Sequence, residues 1–249
     1  MMSVLGLLVC FALSIHGTHC IKDGNSVNPC DYDGIAVVQL AGQIFCNGVI
    51  SGGQLVLPET CASNLKTLST YADLTVNYAS GTETTTIPKG AFSTTLTDGI
   101  ARAALPSFTP SGCFKEAMLY DKSTQTVDPS TCQMVSYGGE TSADVTFDGS
   151  LEATSLTKIS GVECCSLIDK EDTLNAEYAQ VPTKDVPLNC VTSDGAACGI
   201  ADLGAPIYCR TDTNELVVTG LTTSNSCVDG RTTLVNDLTD SDPNFKFGY

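Results

Sequence analysis

The sequence predicts an all-β fold, and three observations carry that prediction. Short runs rich in Val, Ile, Thr and Tyr recur along the chain. Clusters of turn-forming residues (SGG, SGT, PSG, SDG, DTN and VDG) punctuate them. No long amphipathic helical period interrupts the series. Many short strands of this kind suit a sandwich or a barrel.

In chain order the strand candidates are GIAVVQLAGQIFCNGVIS (34–51), LTVNYAS (74–80), GIARAAL (99–105), CQMVSYGG (132–139), ADVTFDG (143–149), APIYC (205–209) and ELVVTGLTT (215–223). Their β-branched and aromatic side chains suit a pleated, half-buried surface. Residues 161–178, GVECCSLIDKEDTLNAEY, accommodate one short helix. The final stretch TTLVNDLTDSDPNFKFGY (232–249) can begin as a short C-terminal helix, which Pro243 would end. No solenoid repeat is present. The polar stretch DKSTQTVDPST (121–131) is the natural boundary between two halves.

The 249 residues suffice for one large β domain or two small ones. A chain of this size buries about 70–75% of its unfolded surface. Charged residues are 16% of the total, and 28 acids against 12 bases give a formal net charge of −16. That balance argues against nucleic-acid binding, which needs a Lys/Arg footprint, and against docking on anionic membranes. The N-terminus, MMSVLGLLVCFALSIHGTHC, has an apolar run from Val4 to Leu13. It is too short to span a bilayer and reads as a secretory signal over residues 1–20, cut after Ser14, Gly17 or Cys20. The 13 cysteines then read as a disulfide framework for an extracellular protein. Metal sites are not expected, because there is no CxxC pair and no His near a downstream Cys. Nothing calls for a cofactor.

Four blocks in order carry a resemblance. QIFCNGVISGGQLVLPETC (43–61) is similar to a segment that begins with a Phe-Cys-Gly-Gly-type strand and ends in Ala-Ala-His-Cys. CQMVSYGG (132–139) is similar to Cys-x-x-x-Gly-Trp-Gly. CGIADLGAPIYC (198–209) is similar to Cys-x-Gly-Asp-Ser-Gly-Gly-Pro-Leu-x-Cys, with one residue inserted. VVTGLTTSNSC (217–227) looks like the strand and Cys that wall a specificity pocket. From about Ile21 onward the chain thus resembles the chymotrypsin-like serine proteases. The resemblance implies two antiparallel six-stranded β-barrels, the N-terminal one over about 21–120 and the C-terminal one over about 121–249. It implies bridges Cys46–Cys61, Cys132–Cys209, Cys198–Cys227, and Cys190 with Cys165 or Cys164. Cys30 and Cys113 remain as an extra pair. Cys10 leaves with the leader, and twelve cysteines remain if Cys20 is retained.

The chemistry of that family needs a Ser nucleophile, a His base and an Asp that orients the His. The resemblance puts Leu203 at the nucleophile, and a Leu side chain has no lone pair. Thr60, just before Cys61, stands at the His position and is no base near neutral pH. TDGIARAAL (97–105) resembles the strand that carries the Asp, and places Gly99, with Asp98 beside it, at that position. The two histidines, His16 and His19, both lie in the leader region. Cleavage after Cys20 leaves no imidazole in the mature chain. Ala201 stands at the oxyanion-hole Gly, and Ala196 and Asn225 stand at specificity-pocket positions. Asp202 aligns with the Asp that pairs with a freed N-terminal Ile, here Ile21 of IKDG. Cys20, in place of Arg or Lys, precedes Ile21, so activation by a trypsin-like enzyme is not available.

Other groupings read as ordinary surface. DKED (169–172) and DLTDSDP (237–243) lack the EF-hand pattern and are expected to be solvated. The leading functional expectation is a secreted, proteolytically inactive serine protease homologue. It would act by binding an extracellular protein, such as a protease, an inhibitor or an immune factor. The alternatives are a structural or storage protein on the same fold, and a hydrolase of altered mechanism using a residue such as Thr60.

Overall fold

The computed structural model describes residues 21, 24–138, 147–170, 176, 178–182, 188–193, 202–223 and 232–238. The first described strand is the short β1 (Asn25–Ser26). One antiparallel sheet then forms from β2 (Ile35–Leu40), β3 (Gln43–Ser51), β4 (Gln54–Pro58), β5 (Leu74–Tyr78), β6 (Glu83–Ile87), β7 (Thr94–Thr97) and β8 (Ile100–Ala104). Its order is β6-β5-β2-β3-β4-β8-β7. A linker leads to the second sheet, built from β9 (Val127–Ser136), β10 (Glu152–Lys158), β11 (Leu188–Ser193), β12 (Pro206–Thr211), β13 (Leu216–Thr222) and β14 (Thr233–Asp237). Its order is β10-β11-β14-β13-β12-β9, and β9 pairs back with β10 to close a six-stranded barrel. β1 pairs with β10, so the start of the chain belongs to the second sheet.

The fold is therefore mostly β, with one closed six-stranded barrel and a second antiparallel sheet. That first sheet has seven strands, and its end strands β6 and β7 do not pair with each other. β7 buries none of its four residues, so no apolar contact drives closure there.

The long run 34–51 is two strands, not one. Ala41 and Gly42 take φ of 52° and 82° and fold β2 back on β3. Two residues of positive φ suit the twist of a tight hairpin. Both faces of β2 are buried. Ile35 and Val37 face a cluster shared with Val135, Tyr208 and Val218 of the barrel. Ala36 and Val38 face the first sheet's own cluster. β3 and β4 divide likewise, with Val49 and Val56 in the first cluster and Ile50 and Leu57 in the second. Period-two alternation thus sorts these strands between two apolar layers.

Among the described residues, two ten-residue helices punctuate the strands, and residues 176 and 178–180 are also helical. α1 (Glu59–Leu68) starts at Pro58, carries Glu59 in its first turn and Lys66 in its last, and buries Cys61, Ala62 and Leu65. No helix was expected there. α2 (Gly161–Lys170) falls within the segment expected to be helical and buries Cys164 and Ile168, one turn apart. The expected C-terminal helix is corrected where it would begin. Residues 233–237 form β14, every residue of which is buried. β14 lies between β11 and β13, and such a strand has no polar face to show the period. Residues 239–249 lie outside the described residues.

Four bridges staple the described fold: Cys30–Cys113, Cys46–Cys61, Cys132–Cys209 and Cys164–Cys190. Cys190 pairs with Cys164, so Cys165 is not the partner and is a free, partly exposed thiol. Helix phase decides between the neighbours, since adjacent residues point about 100° apart. Cys164 points into the cluster of Ile168, Leu188 and Leu234. Burial, and then the carboxylate of Asp169, push the Cys165 thiol above its ordinary value. Cys20, Cys198 and Cys227 lie outside the described residues.

The two sheets meet around aromatic rings. Tyr208 is 1% exposed, packs edge-on against Tyr32 at 5.3 Å, and donates to the Asp33 carbonyl at 2.6 Å. Burial pushes its phenol well above the ordinary value of 10. The unfolded chain loses that proton near pH 10, whereas the fold retains it. Stability from Tyr208 is therefore complete below pH 10 and falls as pH rises above it. Urea midpoints across alkaline pH should show this decline in the wild type and a shallower one in Tyr208→Phe. Loop closure sets a second expectation. Removing Cys30–Cys113, which spans 83 residues, should cost about 4 kcal/mol, against about 3 for Cys46–Cys61 with its separation of 15. Paired Cys→Ser variants in chemical denaturation check the order.

Candidate functional site at the junction of the two sheets

The turn before β12 is tied to both sheets. The Leu203 carbonyl accepts from the Asn47 N–H at 2.7 Å, and the Gly204 N–H donates to the Thr222 carbonyl at 3.0 Å. Gly204 has φ of 81°, and a β-carbon there would lie 2.1 Å from the Asn47 oxygen and 3.3 Å from Pro58 Cδ. Only glycine permits that approach. The turn therefore packs against the residue that starts α1.

Asp202 is fully buried in this turn. The Ser136 hydroxyl donates to its Oδ1. Ser136 Oγ in turn accepts from Asn47 Nδ2 at 3.1 Å and from the Gly138 N–H at 2.9 Å. Asn47 Oδ1 accepts from the Tyr137 N–H at 3.2 Å, and Thr222 Oγ1 donates to the Asp202 carbonyl at 2.8 Å. A buried carboxylate is tolerated only with such donors. Sequence reasoning assigned no role to Asn47 or Ser136. The available signal was that both stand where the resembled blocks carry Gly.

Ile21 is also fully buried, but its N–H donates to Glu152 Oε2 at 3.1 Å, not to Asp202. In the continuous chain this nitrogen is an uncharged amide. Asp202 takes its hydroxyl donor from β9 instead.

Contacts link the elements that carry Thr60, Gly99 and Leu203. Thr60 lies in the first turn of α1 and is half-buried. The preceding Glu59 N–H donates to the Gly99 carbonyl at 2.8 Å. The neighbouring Asp98 has φ of 50°, and its carbonyl accepts from Asn236 Nδ2 at 2.9 Å. Asn236, on β14, had no sequence signal. Leu203 is 5% exposed and belongs to the first sheet's apolar cluster with Cys46, Leu57 and Cys61. Among the described residues, Thr60 Oγ1, Thr223 Oγ1 and Asn236 Oδ1 are buried without a hydrogen-bond partner. A groove of about 210 Å³, lined in part by Asp98, Arg102 and Tyr120, opens alongside. Ala196, Ala201 and Asn225 lie outside the described residues.

Among the described residues no three His, Cys, Asp or Glu side chains form a metal-binding group. The acidic stretches behave differently from one another. Asp169 lies in the last turn of α2. Asp237 corrects the expectation of solvated surface. It is buried, lies 2.6 Å from Lys158 Nζ, and accepts from Asn189 Nδ2 at 3.2 Å.

No protein-family model matches the sequence, and no curated protein matches it significantly.

Leu203 makes the site's chemistry testable. Leu203→Ser places a hydroxyl in an apolar cluster. It should lower stability by about 3 kcal/mol and yield no amidolytic activity. Urea denaturation with a chromogenic peptide panel checks both halves.

Proposed function

We propose that this protein is a secreted homologue of the chymotrypsin-like serine proteases that does not cleave peptides and acts by binding another extracellular protein. In this reading the first sheet corresponds to the family's N-terminal barrel. The observation that carries it is the burial of Leu203, which the resemblance puts at the nucleophile, in an apolar cluster with Cys61, the residue after Thr60. The closed barrel and the four bridges are compatible with that fold. A hydroxyl without a base and an aliphatic side chain provide no route to acyl transfer. What the junction offers is recognition. Its groove, lined in part by Asp98, Arg102 and Tyr120, is where a partner chain would dock. Among the described residues no helix is long and apolar enough to cross a membrane.

The test is crosslinking and affinity recovery of the mature protein from its native fluid, followed by mass spectrometry, with a fluorophosphonate probe run in parallel. A stoichiometric extracellular protein, crosslinked near Asp98 or Tyr120, is the expected result, with no probe labelling. Repeated recovery of the protein alone would favour a structural or storage role. Labelling at a single residue would favour a hydrolase.

A further inference from the structure

The first sheet cannot close on itself with antiparallel pairs. Every neighbouring pair in it is antiparallel, so strand direction alternates along the order β6-β5-β2-β3-β4-β8-β7. An odd number of strands makes the two end strands, β6 and β7, point the same way. An all-antiparallel ring needs an even number. Each end strand therefore keeps one edge without a strand partner among the described residues.

The two edges differ. β6 is attended by the segment that follows β8. Glu83 accepts from the Ser111 hydroxyl, Thr85 Oγ1 meets Ser107 Oγ at 3.2 Å, and Pro88 follows the strand. β7, Thr94–Thr97, carries no charge and no proline. Thr95, Leu96 and Thr97 are exposed, Leu96 by 48%. Its shortness limits indiscriminate pairing, so any strand it takes must be selected by side chains.

Register places those side chains. Thr95 faces Arg102 and Thr97 faces Ile100 across the β7–β8 pair. Residues directly opposite share a face, and so do residues two apart. Thr97, Ile100 and Arg102 accordingly line the groove of about 210 Å³ together. Arg102 is half-buried, and among the described residues no ion pair or hydrogen bond engages its guanidinium. A guanidinium pairs best with a carboxylate, through two parallel N–H donors. Asp98, which follows β7, lines the turn end of the same groove.

We propose that β7 takes an extended strand from the protein partner, antiparallel to it, with an acidic residue opposite Thr95 and a basic residue three positions earlier, beside Asp98. This rests on the reading that the protein binds an extracellular protein. The added strand lies about 10 Å from β8, two strand spacings away. The side chains of Arg102 and a glutamate span that gap together. An apolar residue opposite Leu96 covers what the edge leaves exposed. Backbone ladder bonds hold the strand, and the two charges set its register and direction. A slip of one residue would turn the acid to the face away from Arg102.

The probes are two capped peptides of one composition, Ac-Lys-Thr-Val-Glu-Thr-NH2 and the charge-exchanged Ac-Glu-Thr-Val-Lys-Thr-NH2. Each is titrated by NMR into the disulfide-intact protein. Their equal net charge cancels the general pull of a chain with a formal charge of −16. The first should bind at least about tenfold tighter than the second, with amide shifts concentrated at residues 94–98 and 102. Arg102→Gln should weaken the first about fivefold, and Arg102→Glu should reverse the preference. Failure of both peptides to bind would overturn the proposal. So would equal binding of the two, or shifts that fall elsewhere. The wild-type comparison decides the matter even if the Arg102 variants do not fold. A partner recovered from the native fluid while neither peptide binds would sink the β7 site and leave the partner reading standing. Selective binding of the first peptide with no partner recovered would do the reverse.

Discussion

A carboxylate with no solvent exposure sits where the two sheets meet, and the geometry of the junction depends on keeping it satisfied. Asp202 accepts from Ser136 of β9, which is held in turn by Asn47 of β3. One short chain of polar atoms therefore links the first sheet, the barrel and the turn before β12. Removing Ser136 would take one hydroxyl donor from a fully buried carboxyl group, a larger penalty than losing one surface contact. The same turn requires glycine at position 204, because Asn47 approaches its backbone so closely. Charge satisfaction and backbone fit thus constrain one another at a single place.

That arrangement also gives Asp202 a donor from within the fold. Ile21 is occupied with Glu152, and the junction is assembled in the uncut chain. Leu203 follows Asp202 in the turn, and its side chain takes no part in this polar chain. Leu203 extends the first sheet's core, and Thr60 caps no visible network. The place is rigidly built, and its side chains are suited to packing rather than to proton transfer.

Much of the fold was legible because strand runs and turn clusters follow from side-chain shape. The rest was hidden for specific reasons. β2 and β3 bury both faces, which erased alternation and made 34–51 look like one run. β14 is buried on both sides, and its Asn and Asp residues imitated a helix surface. α1 is rich in Thr, Ser and Asn, residues that give a weak helical signal, and its bridge to β3 supplies what propensity does not. Choosing Cys164 over Cys165 required helix phase, which spacing to a distant Cys190 cannot give. At the site, the aligned positions could be named from the blocks. Asn236 could not, because it reaches Asp98 across 138 residues of chain.

The pairing of β1 with β10 has a consequence for the order of assembly. Ile21 meets Glu152, 131 residues further along. During synthesis at roughly 5–20 residues per second, the start of the chain waits on the order of ten seconds for its partner to be made. It must stay unpaired while the first sheet has all its strands available. β1 thus waits for β10, and the barrel it joins closes only when β14, the final described strand, has emerged.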